Sequence, residues 1–334
     1  LKALPDAWLT RGLTARLLLP LAGLFGLLAG LRRRLYRAGL LRVASLPLPV
    51  IVIGNIFIGG TGKTPLVIWL ARKLSAAGLH PGVVSRGYGG QGDAVREVLP
   101  DSPPGLAGDE PVLIALRAQC PVVVGRDRVA AARHLMRLHP QVDVLLSDDG
   151  LQHYRLPRLL EMVVFDSRGV GNGWLLPAGP LREPAARERD YTVVNGADCA
   201  PGVEGRVFRM QLEPGNAWQL QEPSARQPLA TLCAGKQVLA AAGIGNPARF
   251  FDMLGEIGLQ FEALPLADHH DFSRNPFAGH AAQVILITEK DAVKCRLNPE
   301  LKNDTRLWVV PVSAALDPTL AESILERLRG SPPA

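Results

Sequence analysis

Cysteine is scarce in this sequence, and nothing pairs it: Cys120, Cys199, Cys233 and Cys295 are scattered, with no C-x-x-C among them. That spacing excludes a zinc finger and a disulfide scaffold and points to reduced thiols in a cytosolic environment. Aromatic residues are few, at 5%, and no nucleic-acid recognition motif interleaves them with the basic ones. A nucleic-acid binder is therefore not expected, although the net charge of +6 favours some anionic partner, whether lipid or nucleotide phosphate. Low-complexity tracts and internal repeats are lacking too. With 47% hydrophobic and 20% charged residues in 334, the chain has the means to build two compact units.

Also missing is an apolar run of membrane-spanning length. The most apolar stretch, Leu17 to Leu31, is entered from Arg16 and closed by Arg32, Arg33, Arg34 and Arg37. As a helix it would extend roughly 22 Å, short of a hydrocarbon core of about 30 Å. A secretory signal would need a small-residue cleavage pattern before the arginines, and none is present. A buried core helix remains open. Arginines beside an apolar face fit attachment to an anionic leaflet better, as a peripheral or monotopic element.

What is present begins at Pro49. Val50-Ile51-Val52-Ile53 is a β-branched run that reads as a buried parallel strand, and Gly59-Gly60-Thr61-Gly62-Lys63-Thr64 follows it. Leu66, Ile68, Trp69, Leu70 and Leu74 then fall at helical spacing. Strand, glycine loop and helix in that order are the setting of a phosphate-binding loop. Backbone N–H groups converge on phosphate oxygens, Lys63 reaches the β- and γ-phosphates, and the Thr64 hydroxyl can ligate magnesium. The strict pattern would put a glycine at position 57, where this chain has Phe57. The loop is thus a variant, nearer the G-G-x-G-K-T loops of partition ATPases.

Several charged clusters could complete such a site. A second apolar strand, Val142 to Leu146, ends in Ser147-Asp148-Asp149-Gly150, where phosphoryl-transfer enzymes hold magnesium, although Asp-Asp-Gly is equally a turn sequence. Gly108-Asp109-Glu110-Pro111 opens a helix; its acids either complement the helix dipole or supply, in Asp109, a base for an attacking hydroxyl. Arg86, in Ser85-Arg86-Gly87-Tyr88-Gly89-Gly90, either clamps a phosphate or is a solvated turn residue.

These motifs, taken in order, resemble the tetraacyldisaccharide 4′-kinase family. The resemblance extends through Gly54-Asn55, the loop to Pro65, Ser85 to Gly90, Gly108 to Pro111 and Asp148-Asp-Gly-Leu-Gln-His153. It continues through Leu176 to Pro184, Gly243-Ile-Gly-Asn-Pro247, Asp268-His269-His270 and Thr288-Glu-Lys-Asp291. It implies transfer of the γ-phosphoryl of ATP to the 4′-hydroxyl of a tetraacylated glucosamine disaccharide 1-phosphate, giving lipid IVA, at the cytoplasmic face of a bacterial inner membrane. It further implies Lys63 and Thr64 as phosphate and magnesium residues, and Asp109 as base, assisted by a histidine of the Asp268-His269-His270 motif; His269 is taken as that residue, although the sequence alone does not separate it from His270. Glu110, Asp148 and Asp149 fall on the metal side, with Arg86, Tyr88, His153, Arg182, Glu183 and His270 around the site. ATP and Mg2+ are the implied cofactors, and no obligate protein partner is evident. Thr288-Glu-Lys-Asp291 is superficially close to the T-K-x-D guanine signature, but its lysine falls one place late, so the resemblance implies adenine.

The expected architecture is an α/β fold: a P-loop-type parallel sheet flanked by helices, a smaller α/β domain, and an N-terminal membrane-associated helix. The expected boundaries are 1–45 for the apolar and basic segment, 46–195 for the kinase domain, 196–228 for a connector and 229–334 for the smaller domain. The active site is expected between the two domains. A membrane-bound scaffold ATPase shares the loop and the apolar helix but needs neither a hydroxyl base nor a histidine loop.

Overall fold

In the computed structural model of the chain, residues 8–88, 90, 94–196 and 200–330 are described; Gly89 and Cys199 lie outside them. The N-terminal segment forms α1 (Leu13–Leu17) and α2 (Leu19–Arg37). Leu21, Leu24, Leu27, Leu28 and Leu31 of α2 are each more than half exposed, while Ala22 is buried. Near its end, the Tyr36 ring stands 5.8 Å from that of Tyr154, which anchors α2 to the body. Among the described residues, no helix is long and apolar enough to cross a membrane.

The body begins with β1 (Val50–Gly54), every residue of which is buried, as a central parallel strand requires. It leads into α3 (Lys63–Ala76), β2 (Pro81–Ser85), β3 (Arg96–Glu97), α4 (Pro104–Ala107) and α5 (Asp109–Ala118). Next come β4 (Val122–Val124), α6 (Arg128–Leu138), β5 (Val144–Asp148), β6 (Leu160–Asp166) and β7 (Tyr191–Asn195). Asp127 caps α6 by accepting hydrogen bonds from the Val129 and Ala130 amides. The strands β4, β2, β5, β1, β6 and β7 lie side by side and parallel. β1 therefore sits between β5 and β6, and the crevice beyond its carboxyl end is where open α/β sheets bind ligands.

The smaller sheet contains β9 (Ala217–Gln219), β10 (Arg226–Gln227), β11 (Val238–Ala242), β12 (Glu262–Pro265), β13 (Val284–Thr288) and β14 (Leu307–Val310). Its order is β10-β9-β14-β13-β11-β12, with the last four parallel. Helices α7 (Leu229–Cys233), α8 (Pro247–Glu256), α9 (Glu289–Cys295) and α10 (Pro299–Lys302) accompany it.

Two expected boundaries shift. The segment 196–228 is not merely a connector: β8 (Val207–Pro214) pairs with β7 and extends the large sheet. Nor does 229–334 stay in the smaller unit. Strand β15 (Val312–Leu316) returns to pair antiparallel with β8, and Leu320 and Ile324 of α11 (Pro318–Arg329) enter the large core beside α3. The reason is edge protection. Without β8 and β15, the apolar β7 would end the sheet with its backbone groups unpaired.

Candidate active site

The loop after β1 is shaped by contacts a glycine motif alone does not disclose. Phe57 occupies the place of the first consensus glycine because its ring is core: it is buried, and the Arg168 guanidinium lies 4.4 Å above it. Arg168 is fixed by Asp166 and donates to the Gly60 carbonyl at 3.0 Å. Gly62 adopts φ +88, and a Cβ there would lie 1.9 Å from Asn195 Nδ2, which donates to the Thr61 carbonyl. Glycine is required at that position on both counts. Lys63 Nζ donates to Asn55 Oδ1 at 2.9 Å and stands 3.5 Å from Asp149. Thr64 follows in the first turn of α3.

Asp148 ends β5 directly beside this loop. Ser85 donates to its Oδ2 at 2.9 Å, whereas its Oδ1 is buried without a hydrogen-bond partner among the described residues. Burial pushes its carboxyl up to about 6; Lys63 opposes this, and the charges of Asp149 and Glu110 reinforce it. Asp149, held at φ +51, lies within 3.5 Å of both Lys63 and Arg182. Burial opposes its ionisation, but Lys63, Arg182 and Arg128 outweigh that and hold it below the usual carboxylate range.

The second acidic cluster opens α5. Asp109 is buried, and His269 Nδ1 lies 3.1 Å from its Oδ2 and 3.2 Å from its Oδ1. His269 belongs to the smaller unit and is itself held at φ +57, a conformation that costs a residue with a side chain. Lys294 Nζ stands 3.3 Å from Asp109, and Lys290 Nζ stands 2.7 Å from Glu110. Burial would raise the Asp109 carboxyl, but Lys290, Lys294 and His269 together draw it below its ordinary value. Asp109, Glu110 and His269 offer ligand atoms within 4.8 Å of one another. The two ammonium groups already compensate their charge, however. Asp148 differs: one of its oxygens is buried without a partner among the described residues, and burial raises its carboxyl, with Glu110 adding to that rise while pairing with Lys290 in the second cluster.

The other expected residues divide. Tyr88 stacks near His269, with ring centroids 5.5 Å apart, and is exposed. Arg86 is exposed too, on the loop after β2. His153 lies 3.7 Å from Asp127, and burial together with Arg128 lowers it to about 4, so it is neutral near pH 7. His270 does not face Asp109: its Nδ1 accepts the Phe272 amide and its ring packs on Phe272. Glu183 is buried one step behind the site, where it accepts from Gln152 and pairs with Arg187. Two residues that sequence reasoning passed over belong here. Arg128, nearly fully buried, donates to the Asp149 carbonyl, and Arg168 underlies the phosphate loop. The Arg-Asp-Arg of 126–128, directly after an apolar strand, is the signal that could have found the first.

Comparison with known proteins agrees over almost the whole chain. The family model described as "LpxK: Tetraacyldisaccharide-1-P 4'-kinase" matches residues 14–329. A "Tetraacyldisaccharide 4'-kinase" of Janthinobacterium sp. (strain Marseille) is 60% identical over 98% of this chain and 96% of its own. One from Herminiimonas arsenicoxydans is 57% identical over 97% and 94%. Among solved structures, the "apo" form of LpxK from Aquifex aeolicus in complex with ATP superposes with a TM-score of 0.79 at 27% identity, over 95% of this chain and all of that one.

Proposed function

The chain belongs to the tetraacyldisaccharide-1-P 4′-kinase family, and from that premise we propose how its residues carry the reaction. The reaction is transfer of the γ-phosphoryl of ATP to the 4′-hydroxyl of a tetraacyldisaccharide 1-phosphate, giving lipid IVA. ATP lies with its phosphates on the Gly59–Thr64 loop, where backbone amides, Lys63 and the start of α3 meet negative charge. Asp109 accepts the proton of the 4′-hydroxyl, and His269 orients its carboxylate. Arg128 and Arg182, beside Asp149, balance the charge that gathers around the transferring group.

Asp148, Asp149, Glu110 and the Thr64 hydroxyl are the residues that would hold Mg2+. The ion, when bound, supplies neutralisation of the phosphate oxygens. Asp148 supports this assignment because its free oxygen and raised carboxyl leave a place for positive charge.

The acyl chains call for an enzyme that works where headgroups meet the leaflet. The exposed leucines of α2, followed by Arg32, Arg33, Arg34 and Arg37, support peripheral attachment at the cytoplasmic face of the inner membrane.

The observation that carries the reading is the Asp109–His269 contact, made across the two units beside the phosphate loop. Its test is transfer of labelled γ-phosphate to a tetraacyl disaccharide 1-phosphate in detergent micelles. The natural chain labels the lipid, and Lys63→Ala, Asp109→Ala and His269→Ala each abolish or sharply reduce labelling. Unchanged turnover in both the Asp109 and His269 variants would refute the mechanism.

A further inference from the structure

The Thr288-Glu-Lys-Asp291 segment has no part in the reaction as written so far, yet its three charged residues each grip a different piece of the site. Thr288 caps α9: its hydroxyl accepts the Asp291 amide and donates to Asp291 Oδ2 at 2.7 Å. Asp291 is fully buried, and the same Oδ2 accepts the Gly243 amide at 3.0 Å. The Gly243 carbonyl in turn accepts the His269 amide at 3.2 Å. A Cβ on Gly243 would fall 2.9 Å from Asp291 Oδ1 and 3.1 Å from His270 Cβ, so the loop bearing His269 rests directly on Asp291.

The two residues before Asp291 point the other way, onto α5 of the large unit. Glu289 pairs with Arg117 at the far end of that helix and accepts the Val312 amide at 3.0 Å. Lys290 reaches its near end. Its ammonium stands 2.7 Å from Glu110 Oε1, 3.8 Å from Asp109 Oδ2 and 3.8 Å from Asp268 Oδ1. The ion pairs at the two ends of α5 are of opposite polarity, acid to Arg117 and base to Glu110. A slip or reversal of α5 against α9 would bring like charges together, so the pairing fixes register as well as contact. Three consecutive residues thus tie the helix of Asp109 and the loop of His269 to one short frame.

We propose that Lys290 is a positioning residue for the phosphoryl transfer: its ammonium, shared by Glu110, Asp109 and Asp268, holds the Asp109 carboxylate against His269 in the orientation that receives the 4′-hydroxyl proton. The inference rests on the assignment of Asp109 as base. Lys290 touches the carboxylates on both sides of the cleft, Asp109 and Glu110 from the large unit and Asp268 from the smaller one, so removing it loosens the base without removing any reacting group. Misplacing a reacting group by about 1 Å costs roughly 100-fold in rate.

The test is the labelled-phosphate assay on the full chain with Lys290→Met, Lys290→Arg, Asp109→Asn and the double variant Asp109→Asn with Lys290→Met. Lys290→Met should lower kcat by about 10- to 100-fold and change KM for ATP much less, because Lys63 and the phosphate loop are untouched and, of the magnesium-side residues, only Glu110 loses a partner. Lys290→Arg, which keeps the charge, should retain most of kcat, and it decides the matter even if the Met variant folds poorly. In the Asp109→Asn background, Lys290→Met should cost nothing further, since a residue acting through the base has nothing left to position. A multiplicative further loss, an Arg variant as slow as Met, or a Met variant within about twofold of the natural kcat would each overturn the inference. Full activity in Asp109→Asn would instead refute the assignment of the base, and this inference would fall with it.

Discussion

Replacing Asp148 by asparagine should make the protein inactive and, without magnesium, more stable. Burial, reinforced by the charges of Asp149 and Glu110, pushes the carboxyl from its ordinary 3.8 up to about 6 against the pull of Lys63. Each tenfold in proton concentration is worth about 1.4 kcal/mol, so the ionised carboxylate costs the fold about 3 kcal/mol. The sign follows from the raised value: the penalty is absent below 3.8, grows as pH rises through the window, and is complete above 6. The substituted amide keeps the acceptor for Ser85, but its nitrogen would take the place of the unpaired Oδ1, at a cost of about 1 kcal/mol. The net gain at pH 8 is about 2 kcal/mol, or roughly 3 °C in melting temperature for a chain of 334 residues. At pH 5 the natural carboxylate is already largely protonated, and the gap should shrink to about 1 °C or less. The measurement is thermal unfolding in a chelator at both pH values, repeated with magnesium, which should raise the natural chain more than the variant. A variant that melts no higher at pH 8, or by the same margin at both pH values, would refute the account of Asp148 as a strained metal-side acid.

Three further outcomes follow from the geometry. Gly62→Ala places a Cβ 1.9 Å from Asn195 Nδ2 at φ +88. It should cost about 2–3 kcal/mol in stability, from left-handed strain plus the lost Asn195–Thr61 hydrogen bond, and weaken nucleotide binding in calorimetry. Asp109→Asn should lower kcat by about 100- to 10,000-fold with ATP affinity retained, and adding His269→Ala should cost little more, as read by single-turnover transfer. Replacing the exposed Leu24 and Leu28 together by Asp should weaken co-sedimentation with anionic vesicles but leave turnover of micellar substrate nearly unchanged.

The strand, loop and helix around Lys63 were legible because each rests on local chemistry: a β-branched run, glycines where φ turns positive, and apolar residues at helical spacing. Apolar runs of the same kind build the strands that carry Gly82, Val122, Val144, Val163 and Val193 beside Val50 in the large sheet. The return of β15 was not legible. Val312 to Leu316 is a short apolar run that suits either sheet, and only the free edge left by β8 decides which one it joins. Arg128 hid in a run of charges that reads as a solvated helix start, although it is nearly fully buried against Asp149.

The same limit explains why α9 was read only for its nucleotide signature. Glu-Lys-Asp in a first turn is ordinary surface helix chemistry by pattern, with acids favoured by the dipole and a lysine free to snorkel. What changes its meaning is that each charge meets a partner from a distant part of the chain: Glu289 meets Arg117, Lys290 meets Glu110, and Asp291 accepts the Gly243 amide. None of these pairings has a local signature: the first two depend on α9 of the smaller unit meeting α5 of the large one, and the third on β11 and β13 lying side by side in the smaller sheet. The chain crosses between the two sheets twice, after β8 and after β14, and the Gly215 amide donates to the Pro311 carbonyl at 2.8 Å where the crossings run side by side. With both crossings tied together there, α9 meets α5 in one orientation, and the charges along its first turn can then select a single register for the base and its histidine.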